Sequence, residues 1–369
     1  MSAIPLHHEV TGRANAPVVV LANSLGTDLS MWDALVPALV EAGYRVVRFD
    51  HRGHGGSPVP PGPYTLDELG GDLIALLDHL RIRRASIVGV SLGGMVGMWM
   101  ARYAPDRVQH LVLCCTSADL RPTANWSSRA ELVLASGVEA IADRSLGRWV
   151  TPAYADVARL REMLLRVPAV GYAGACGAIG SMYLVDELPS IVAPTLVVSG
   201  TEDPATPAEH GRRIASGIPG ARFEVVAGAA HLGVVERPEE FARLILSGLP
   251  PARGEAMRRS VLGDAHVDRT RVTEFNRPFQ EYITESVWGA LWTRPGLDRR
   301  TRSAVTLALL TGLRAHDELA LHVRAAIRNG LTREEIGEIL LHSGAYVGVP
   351  AANSAFSVAQ RIFDEDDTR

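Results

Sequence analysis

The fold is decided by the stretch Ala85-Ser86-Ile87-Val88-Gly89-Val90-Ser91-Leu92-Gly93-Gly94. It joins an apolar, β-branched run, typical of a buried strand, to a helical pattern that begins near Met95. The serine stands in the pattern G-x-S-x-G, and this pattern requires a strand, a sharp turn and a helix in that order. Glycines are needed because neighbouring Cβ atoms would clash in the strained turn. We therefore predict that Ser91 is a nucleophile rather than a serine that merely begins a helix.

Similar short apolar runs lie on both sides of this turn and alternate with helix-like stretches. Runs that are apolar on both faces are typical of a parallel sheet covered by helices. These further runs lie at residues 18–22, 46–50, 111–115, 195–199 and 222–226. Residues 117–186 lose the strand pattern and predict several helices instead. The sequence therefore predicts an α/β domain over residues 1–250 with a helical cap at about 117–186.

A serine nucleophile needs a base that is oriented by an acid, and in this fold they follow in the order Ser, Asp, His. Asp203 comes just after the run at 195–199, with Glu202 as its competitor for the role of the acid. His231 follows the run at 222–226 in a loop of small residues. We predict the catalytic set Ser91, Asp203 and His231.

The negative charge that develops on a substrate oxygen needs hydrogen-bond donors. Leu25 lies in the loop after the run at 18–22, and Leu92 follows the serine, so their backbone N–H groups are the candidate pair. Within the cap, Trp126, Arg129 and Trp149 are the candidates for substrate binding.

The composition excludes several kinds of chemistry. The 369 residues contain no lysine, so all 37 cationic side chains are arginines and no lysine Schiff base or P-loop lysine is possible. The three cysteines form no Cys-x-x-Cys pair, and the net charge is −4 without a basic cluster. We therefore expect no cofactor, no metal and no nucleic-acid partner. Because no secretory or membrane segment is recognisable, we also expect a cytoplasmic protein without a membrane partner.

A second domain is predicted after the proline-rich stretch at 250–254. Residues 255–369 contain no strand-like run, and helices are expected at 270–292, 299–314, 317–329 and 333–347. Glu318 and His322 share one helical face, and His342 lies on the next helix. The spacing does not fit a di-iron bundle. These three residues are candidates for proton transfer, or they are solvated helix residues, and Arg324 or Arg333 could bind a carboxylate.

Two family resemblances follow from these motifs. Residues 16–249 resemble the α/β-hydrolase superfamily, and the segments at 23–28, 89–94 and 200–207 are similar to those of 3-oxoadipate enol-lactonases. Residues 318–355 resemble the carboxymuconolactone decarboxylase family. The peroxidase relatives of that family use a Cys-x-x-Cys pair, which this domain lacks because it contains no cysteine.

The two resemblances imply consecutive reactions on small lactones of aromatic catabolism. The second domain would decarboxylate 4-carboxymuconolactone, whose ring is its own electron sink, so that no cofactor is needed. The first domain would then hydrolyse the resulting enol-lactone. Relatives of the second domain form rings, so the resemblance also implies a homo-oligomer. The alternatives are a general carboxylesterase or cofactor-free haloperoxidase with a C-terminal oligomerisation domain, and a non-catalytic receptor with a hydrolase fold.

Overall fold

The computed structural model describes residues 3–14, 16–121 and 125–367. The chain divides into two compact units, Met1–Pro250 and Pro251–Arg369. The division falls inside the proline-rich stretch at 250–254, where a helix cannot continue through the two prolines.

A seven-stranded sheet organises the first unit, in the order β1-β3-β2-β4-β5-β6-β7. The strands are β1 (His8–Thr11), β2 (Val18–Ala22), β3 (Arg45–Phe49), β4 (Ala85–Val90), β5 (Val108–Cys114), β6 (Thr195–Gly200) and β7 (Arg222–Val226). Only the edge strand β1 pairs antiparallel, and β2 to β7 are parallel. Every residue of β4 and β6 is buried because both faces of the sheet are covered. The predicted α/β class is confirmed.

The described residues of the first unit contain ten α-helices. They are α1 (Val36–Glu41), α2 (Leu66–His79), α3 (Leu92–Tyr103), α4 (Trp126–Ser136), α5 (Ala142–Trp149), α6 (Val157–Leu165), α7 (Ala169–Ser181), α8 (Ala208–Gly217), α9 (Gly233–Glu236) and α10 (Pro238–Gly248). The four helices α4 to α7 form the cap between β5 and β6. Among the described residues no single helix is both long and apolar enough to span a membrane, although α6 and α7, bent by 96°, reach that threshold as a pair.

The described residues of the second unit form helices and connecting loops, without a strand. Its helices are α11 (Ala252–Leu262), α12 (Asp264–Arg269), α13 (Arg277–Tyr282), α14 (Arg299–Leu313), α15 (His316–Arg328), α16 (Arg333–Val347) and α17 (Val349–Asp367). A π-helical segment, Ile283–Leu291, continues α13. Two apolar clusters form its core. One is built from residues of α14, α15, α16 and α17, and the other includes Val261, Trp288 and Ala325.

The second unit differs from the sequence prediction at both of its ends. The helix expected at 270–292 begins only at Arg277, where Pro278 occupies the first turn and needs no N–H acceptor. Helices α11, α12 and α17 were not predicted. α17 restarts directly after Gly348, whose φ of 92° is readily adopted only by glycine.

Candidate active site

Ser91 stands on the turn between β4 and α3. Its φ of 54° and ψ of −113° are strained for a residue with a side chain. The glycines around it are required by close contacts, because a Cβ at Gly89 would lie 2.3 Å from the Gly93 carbonyl oxygen. A Cβ at Gly93 would in turn lie 2.0 Å from the carbonyl oxygen of Ala22. The turn therefore packs its backbone directly against β2 and presents the serine at the carboxyl edge of the sheet.

Asp203 and His231 form a buried pair after β6 and β7. The Nδ1 atom of His231 lies 2.9 Å from Oδ2 of Asp203, and Oδ1 of Asp203 accepts the N–H groups of Ala205 and Thr206. Burial alone would raise the pKa of Asp203. The charge of His231 and these hydrogen bonds outweigh it and lower the pKa to about 2. Glu202, the competing acid, is exposed.

The two cysteines at the end of β5 connect the serine turn to the histidine loop. The Ser91 N–H donates to the Cys114 carbonyl oxygen at 3.0 Å. The thiol of Cys115, the next residue, lies 3.7 Å from the carbonyl oxygen of Ala230, directly before His231. Burial raises the pKa of Cys115 well above its usual value, so this thiol stays protonated. Parallel strands thus bring the three predicted catalytic residues to one edge of the sheet.

The two predicted oxyanion donors lie in the loop after β2 and at the start of α3. Leu92 is the first residue of α3, so its N–H has no acceptor within the helix. The N–H of Gly26 donates to Nε2 of His54 at 3.1 Å, whereas the neighbouring Leu25 N–H has no acceptor among the described residues. The buried His54 therefore fixes the loop, and Leu25 retains a free donor.

Trp149 lies between this loop and the histidine loop. Its Cζ2 atom and Cε2 of Tyr172 would each be 3.2 Å from a Cβ at Gly26. Its carbonyl oxygen accepts the N–H of Leu232 at 2.7 Å. The end of α5 is thus fixed beside the predicted catalytic residues.

Arg129 lies on α4 among polar and aromatic cap residues. Its guanidinium donates to Oγ of Ser145 at 2.8 Å and stacks at 5.5 Å on the ring of Tyr172. It also lies 5.6 Å from the ring of Trp126, whose Nε1 is buried without an acceptor. None of these partners is a carboxylate, so the charge of Arg129 is not neutralised there.

Arg148 is a second cap arginine that the sequence analysis missed. Burial and the charges of Arg144 and Arg129 lower its pKa, and no acidic partner binds it among the described residues. Its carbonyl oxygen lies 3.4 Å from the N–H of His231. Among the described residues the cap thus contains two arginines without acidic partners, and Arg148 adjoins the histidine loop. This charge arrangement favours an anionic ligand.

In the second unit Glu318 and His322 share a face of α15, as predicted. Glu318 is exposed, whereas Nδ1 of His322 is buried without a hydrogen-bond partner. Burial, assisted by the charge of nearby His266, lowers the pKa of His322 to about 4, although Glu318 acts in the opposite direction. His322 is consequently a neutral imidazole at physiological pH.

His342 lies apart from this pair. It is exposed on α16 and stacks at 5.2 Å on Tyr346 of the same helix. Within the part of the second unit that the structure describes, no hydrogen bond or ring contact joins His342 to His322.

The two arginines that the sequence suggested for carboxylate binding have partners on α17. Arg324 pairs with Glu365, and Arg333 binds Asp367 through both terminal nitrogens at 2.7 and 2.9 Å. These ion pairs are largely exposed, and acidic residues of α17 occupy both guanidinium groups. Among the described residues no group of three or more His, Cys, Asp or Glu side chains could hold a metal ion.

The sheet order, the serine turn and the helical cap define the first unit as an α/β hydrolase. The family model described as "alpha/beta hydrolase fold" matches residues 17–139, and that of the "Carboxymuconolactone decarboxylase family" matches residues 277–361. The chain belongs to the α/β-hydrolase family over its first unit and to the carboxymuconolactone decarboxylase family over its second.

Relatives of each unit are found separately. The chain is 37% identical to 3-oxoadipate enol-lactonase 2 of Acinetobacter baylyi, over 64% of this chain and 90% of that protein. It is 44% identical to 4-carboxymuconolactone decarboxylase of the same organism, over 30% of this chain and 85% of that protein. The crystal structure of the enol-lactonase from Burkholderia xenovorans has a TM-score of 0.64 and 40% identity, and it covers 66% of this chain and 95% of its own.

Proposed function

We propose that this chain is a bifunctional enzyme that decarboxylates 4-carboxymuconolactone and hydrolyses the product, 3-oxoadipate enol-lactone, to 3-oxoadipate. One observation carries the proposal. The relatives of the two units are named for two different reactions, and the product of one reaction is the substrate of the other. A chain that joins these two units supplies both steps at a one-to-one ratio.

Hydrolysis is assigned to Ser91, Asp203 and His231. His231 takes the proton of the Ser91 hydroxyl as the oxygen attacks the lactone carbonyl, and the N–H groups of Leu25 and Leu92 hold the resulting oxyanion. The ring opens to an acyl-enzyme, and the released enol tautomerises to a ketone, so the step is hard to reverse. A water molecule activated by His231 then frees 3-oxoadipate.

Recognition of the substrate is assigned to the cap. The enol-lactone carries an acetate carboxylate, and Arg129 and Arg148 supply positive charge without acidic partners of their own. Trp126 and Trp149 supply apolar surface beside them. A guanidinium binds a carboxylate through paired hydrogen bonds, which also orients the ring relative to Ser91.

Decarboxylation is assigned to the second unit. The electrons of the breaking carbon–carboxylate bond pass through the ring double bond to the lactone carbonyl oxygen. A proton is then added at the α-carbon. His322 is proposed to donate a hydrogen bond to the dienolate oxygen, and Glu318 to carry the proton or to orient His322. His342 is retained as a less favoured candidate because it lies exposed on α16.

The test is to supply 4-carboxymuconolactone to the wild type and to Ser91→Ala, and to separate the products by liquid chromatography. We expect the wild type to release 3-oxoadipate and the variant to accumulate the enol-lactone. Release at the wild-type rate by the variant, after correction for spontaneous hydrolysis, would show that Ser91 is not the nucleophile. Comparable turnover of p-nitrophenyl acetate would favour a general carboxylesterase instead.

We also propose that the chain forms homo-oligomers through its second unit and acts in the cytoplasm. Large apolar side chains are exposed on neighbouring helices α14 and α16, among them Leu309 and Leu313. An exposed apolar face of this kind is characteristic of a subunit interface. The three cysteines are free and buried, as is usual in a reducing compartment.

A further inference from the structure

The second unit contains an arginine that is buried without an acidic partner of its own. Arg258 of α11 is only 7% exposed, and its Nε atom has no hydrogen-bond partner. Nearby Glu255 acts on it electrostatically but directs its Oε1 atom to Arg259 at 2.8 Å. No hydrogen bond or ion pair is made by Arg258 within the described residues. Burying a guanidinium nitrogen without an acceptor is unfavourable, and an anionic ligand would offset this cost.

The surrounding acidic side chains are taken by the next arginine. Arg259 binds Glu255, Asp264 at 3.3 Å and Asp268 at 2.9 Å. The two adjacent arginines thus differ: one has a complete set of partners, and the other, on the more buried side of α11, has none. Acidic residues are therefore present near α11, and the missing partner of Arg258 points to a ligand at this arginine.

His266 is a titratable residue of α12, the helix that follows α11. Burial lowers the pKa of His266, and the charges of Arg258, Arg269 and Arg328 lower it further. Burial likewise lowers the pKa of His322, with a smaller contribution from the charge of His266. α11 packs against both α12, which carries His266, and α15, which carries His322. The buried Nδ1 atom of His322 is a second polar group in this region without a partner.

The helices that carry these groups also enclose an apolar cluster. Trp288 and Trp292 lie 5.2 Å apart at the π-helical segment and pack with Val261 of α11 and Val267 of α12. π-Helical turns are frequent at functional sites. Low water content strengthens the attraction between a guanidinium and a carboxylate.

We propose that Arg258 binds the carboxylate that the decarboxylation substrate retains, and that the imidazole of His322 donates a hydrogen bond to the lactone carbonyl oxygen of this substrate. The ligand class is a lactone in which one ring carbon bears both a carboxylate and an acetate arm, so this inference rests on the function proposed above. The guanidinium is assigned to the retained group because binding the departing carboxylate would stabilise the ground state and oppose loss of neutral CO₂. The negative charge instead moves to the lactone carbonyl oxygen, where the hydrogen bond from His322 stabilises it.

A non-reactive probe separates binding from chemistry. Homocitrate γ-lactone carries the same ring and the same two carboxylates but lacks the ring double bond, so it cannot lose CO₂ by this route. The binding of this probe is measured by calorimetry in the Ser91→Ala chain, which does not open the lactone. We expect Arg258→Met to weaken binding about tenfold to a hundredfold and Arg258→Lys to recover part of it. Arg361→Met, which removes an exposed arginine of α17, serves as the matched control and should bind as the parent does.

Two further readouts distinguish the possible failures. With 4-carboxymuconolactone, Arg258→Met should raise KM more than it lowers kcat, and its melting temperature should not fall, because an uncompensated buried charge has been removed. Unchanged probe affinity in a folded Arg258→Met chain would overturn the inference. A parent chain that binds the probe but never decarboxylates 4-carboxymuconolactone would contradict the proposed function and leave the anion site standing.

Discussion

At the scale of single residues, the hydrolytic site depends on a carboxylate that the fold keeps ionised. Asp203 is 4% exposed, yet two backbone N–H groups, the hydroxyl of Thr206 and His231 all point their hydrogens at it. A carboxylate with this many donors orients the imidazole and stabilises its protonated form. The thiol of Cys115 nearby is neutral and does not compete for the histidine.

Replacing the acid should therefore disable one reaction only. We expect Asp203→Asn to lower kcat for enol-lactone hydrolysis by about 10³–10⁴-fold, because the amide no longer fixes the productive tautomer of His231. Decarboxylation by the same preparation serves as the internal control and should be unchanged. Glu202→Gln, at the exposed neighbouring carboxylate, should retain nearly full hydrolysis, and a large loss there would shift the assignment to Glu202.

The same carboxylate predicts a pH dependence of stability. The pKa of Asp203 falls from its ordinary 3.8 to about 2 on folding, so its ionised form stabilises the folded state. That contribution, of about 2 kcal/mol, is complete above pH ~4 and is lost as the pH falls through the folded value. Urea unfolding of the wild type and Asp203→Asn should thus give free energies that converge between pH 4 and pH 2. A gap that stays constant over this interval would contradict the prediction.

The role of Arg148, the cap arginine that the sequence did not single out, can be tested by removing its charge. We expect Arg148→Met to raise KM for the enol-lactone about tenfold to a hundredfold, because a charged hydrogen bond to the acetate is lost. α-Angelica lactone has the same enol-lactone ring with a methyl group in place of the acetate, so its KM should hardly change. Arg144→Met, at an exposed arginine of the same helix α5, is the matched control. Equal losses on both lactones would indicate that Arg148 is only structural.

At the scale of elements, the serine turn and the oxyanion loop are packed as one unit. A Cβ on residue 93 would come within 2.0 Å of the Ala22 carbonyl oxygen, directly before the loop that carries Leu25. Gly93→Ala should therefore displace β2 or α3, destabilise the first unit by about 1–3 kcal/mol and abolish hydrolysis. Thermal unfolding and lactone turnover measure the two effects.

The control for that substitution is Gly71→Ala in the middle of α2. A Cβ there meets nothing within 4 Å, so the variant should be as stable as the wild type or more stable by up to about 1 kcal/mol. If Gly93→Ala behaved like Gly71→Ala, the close packing of the turn would have no functional consequence.

Sequence reasoning succeeded for elements whose pattern is local and failed where packing decides. β4 and β6 are continuous apolar runs because both faces are buried, so they were predictable. The short edge strand β1 is mostly exposed and has no such signature. α11 contains Gly254 and several arginines, and it forms because its backbone packs against Thr284.

The site residues likewise fall into those that a local sequence pattern identifies and those that only the folded structure identifies. Ser91, Asp203 and His231 are recognisable because each follows a strand at a fixed point of the fold. Arg148 and Arg258 could not be selected among 37 cationic residues, because their distinction lies in the partners they lack after folding. Arg333 was suggested by its position in the sequence, but α17 neutralises it.

At the scale of the whole molecule, two families that also occur as separate proteins are joined in one chain without lysine. The two proposed reactions together need only the serine nucleophile, histidine, carboxylate, arginine and backbone donors. This fits the chemistry, because the decarboxylation substrate carries its own electron sink and the lactone carries its own leaving group. The chain can therefore perform both steps without the amine chemistry that its composition excludes.

Self-association through α14 and α16 is predicted for the whole molecule. Leu309 and Leu313 lie one turn apart on α14 and are 61% and 75% exposed, with Tyr346 of α16 at 79%. If these residues form a subunit interface, Leu309→Glu combined with Leu313→Glu should shift the wild-type oligomer to monomers in light scattering, because charges would be buried there. Val192→Glu, at a 75% exposed valine of the first unit, controls for added surface charge and should leave the assembly intact. A wild type that is monomeric at micromolar concentration, or a double variant that still assembles, would rule out this interface.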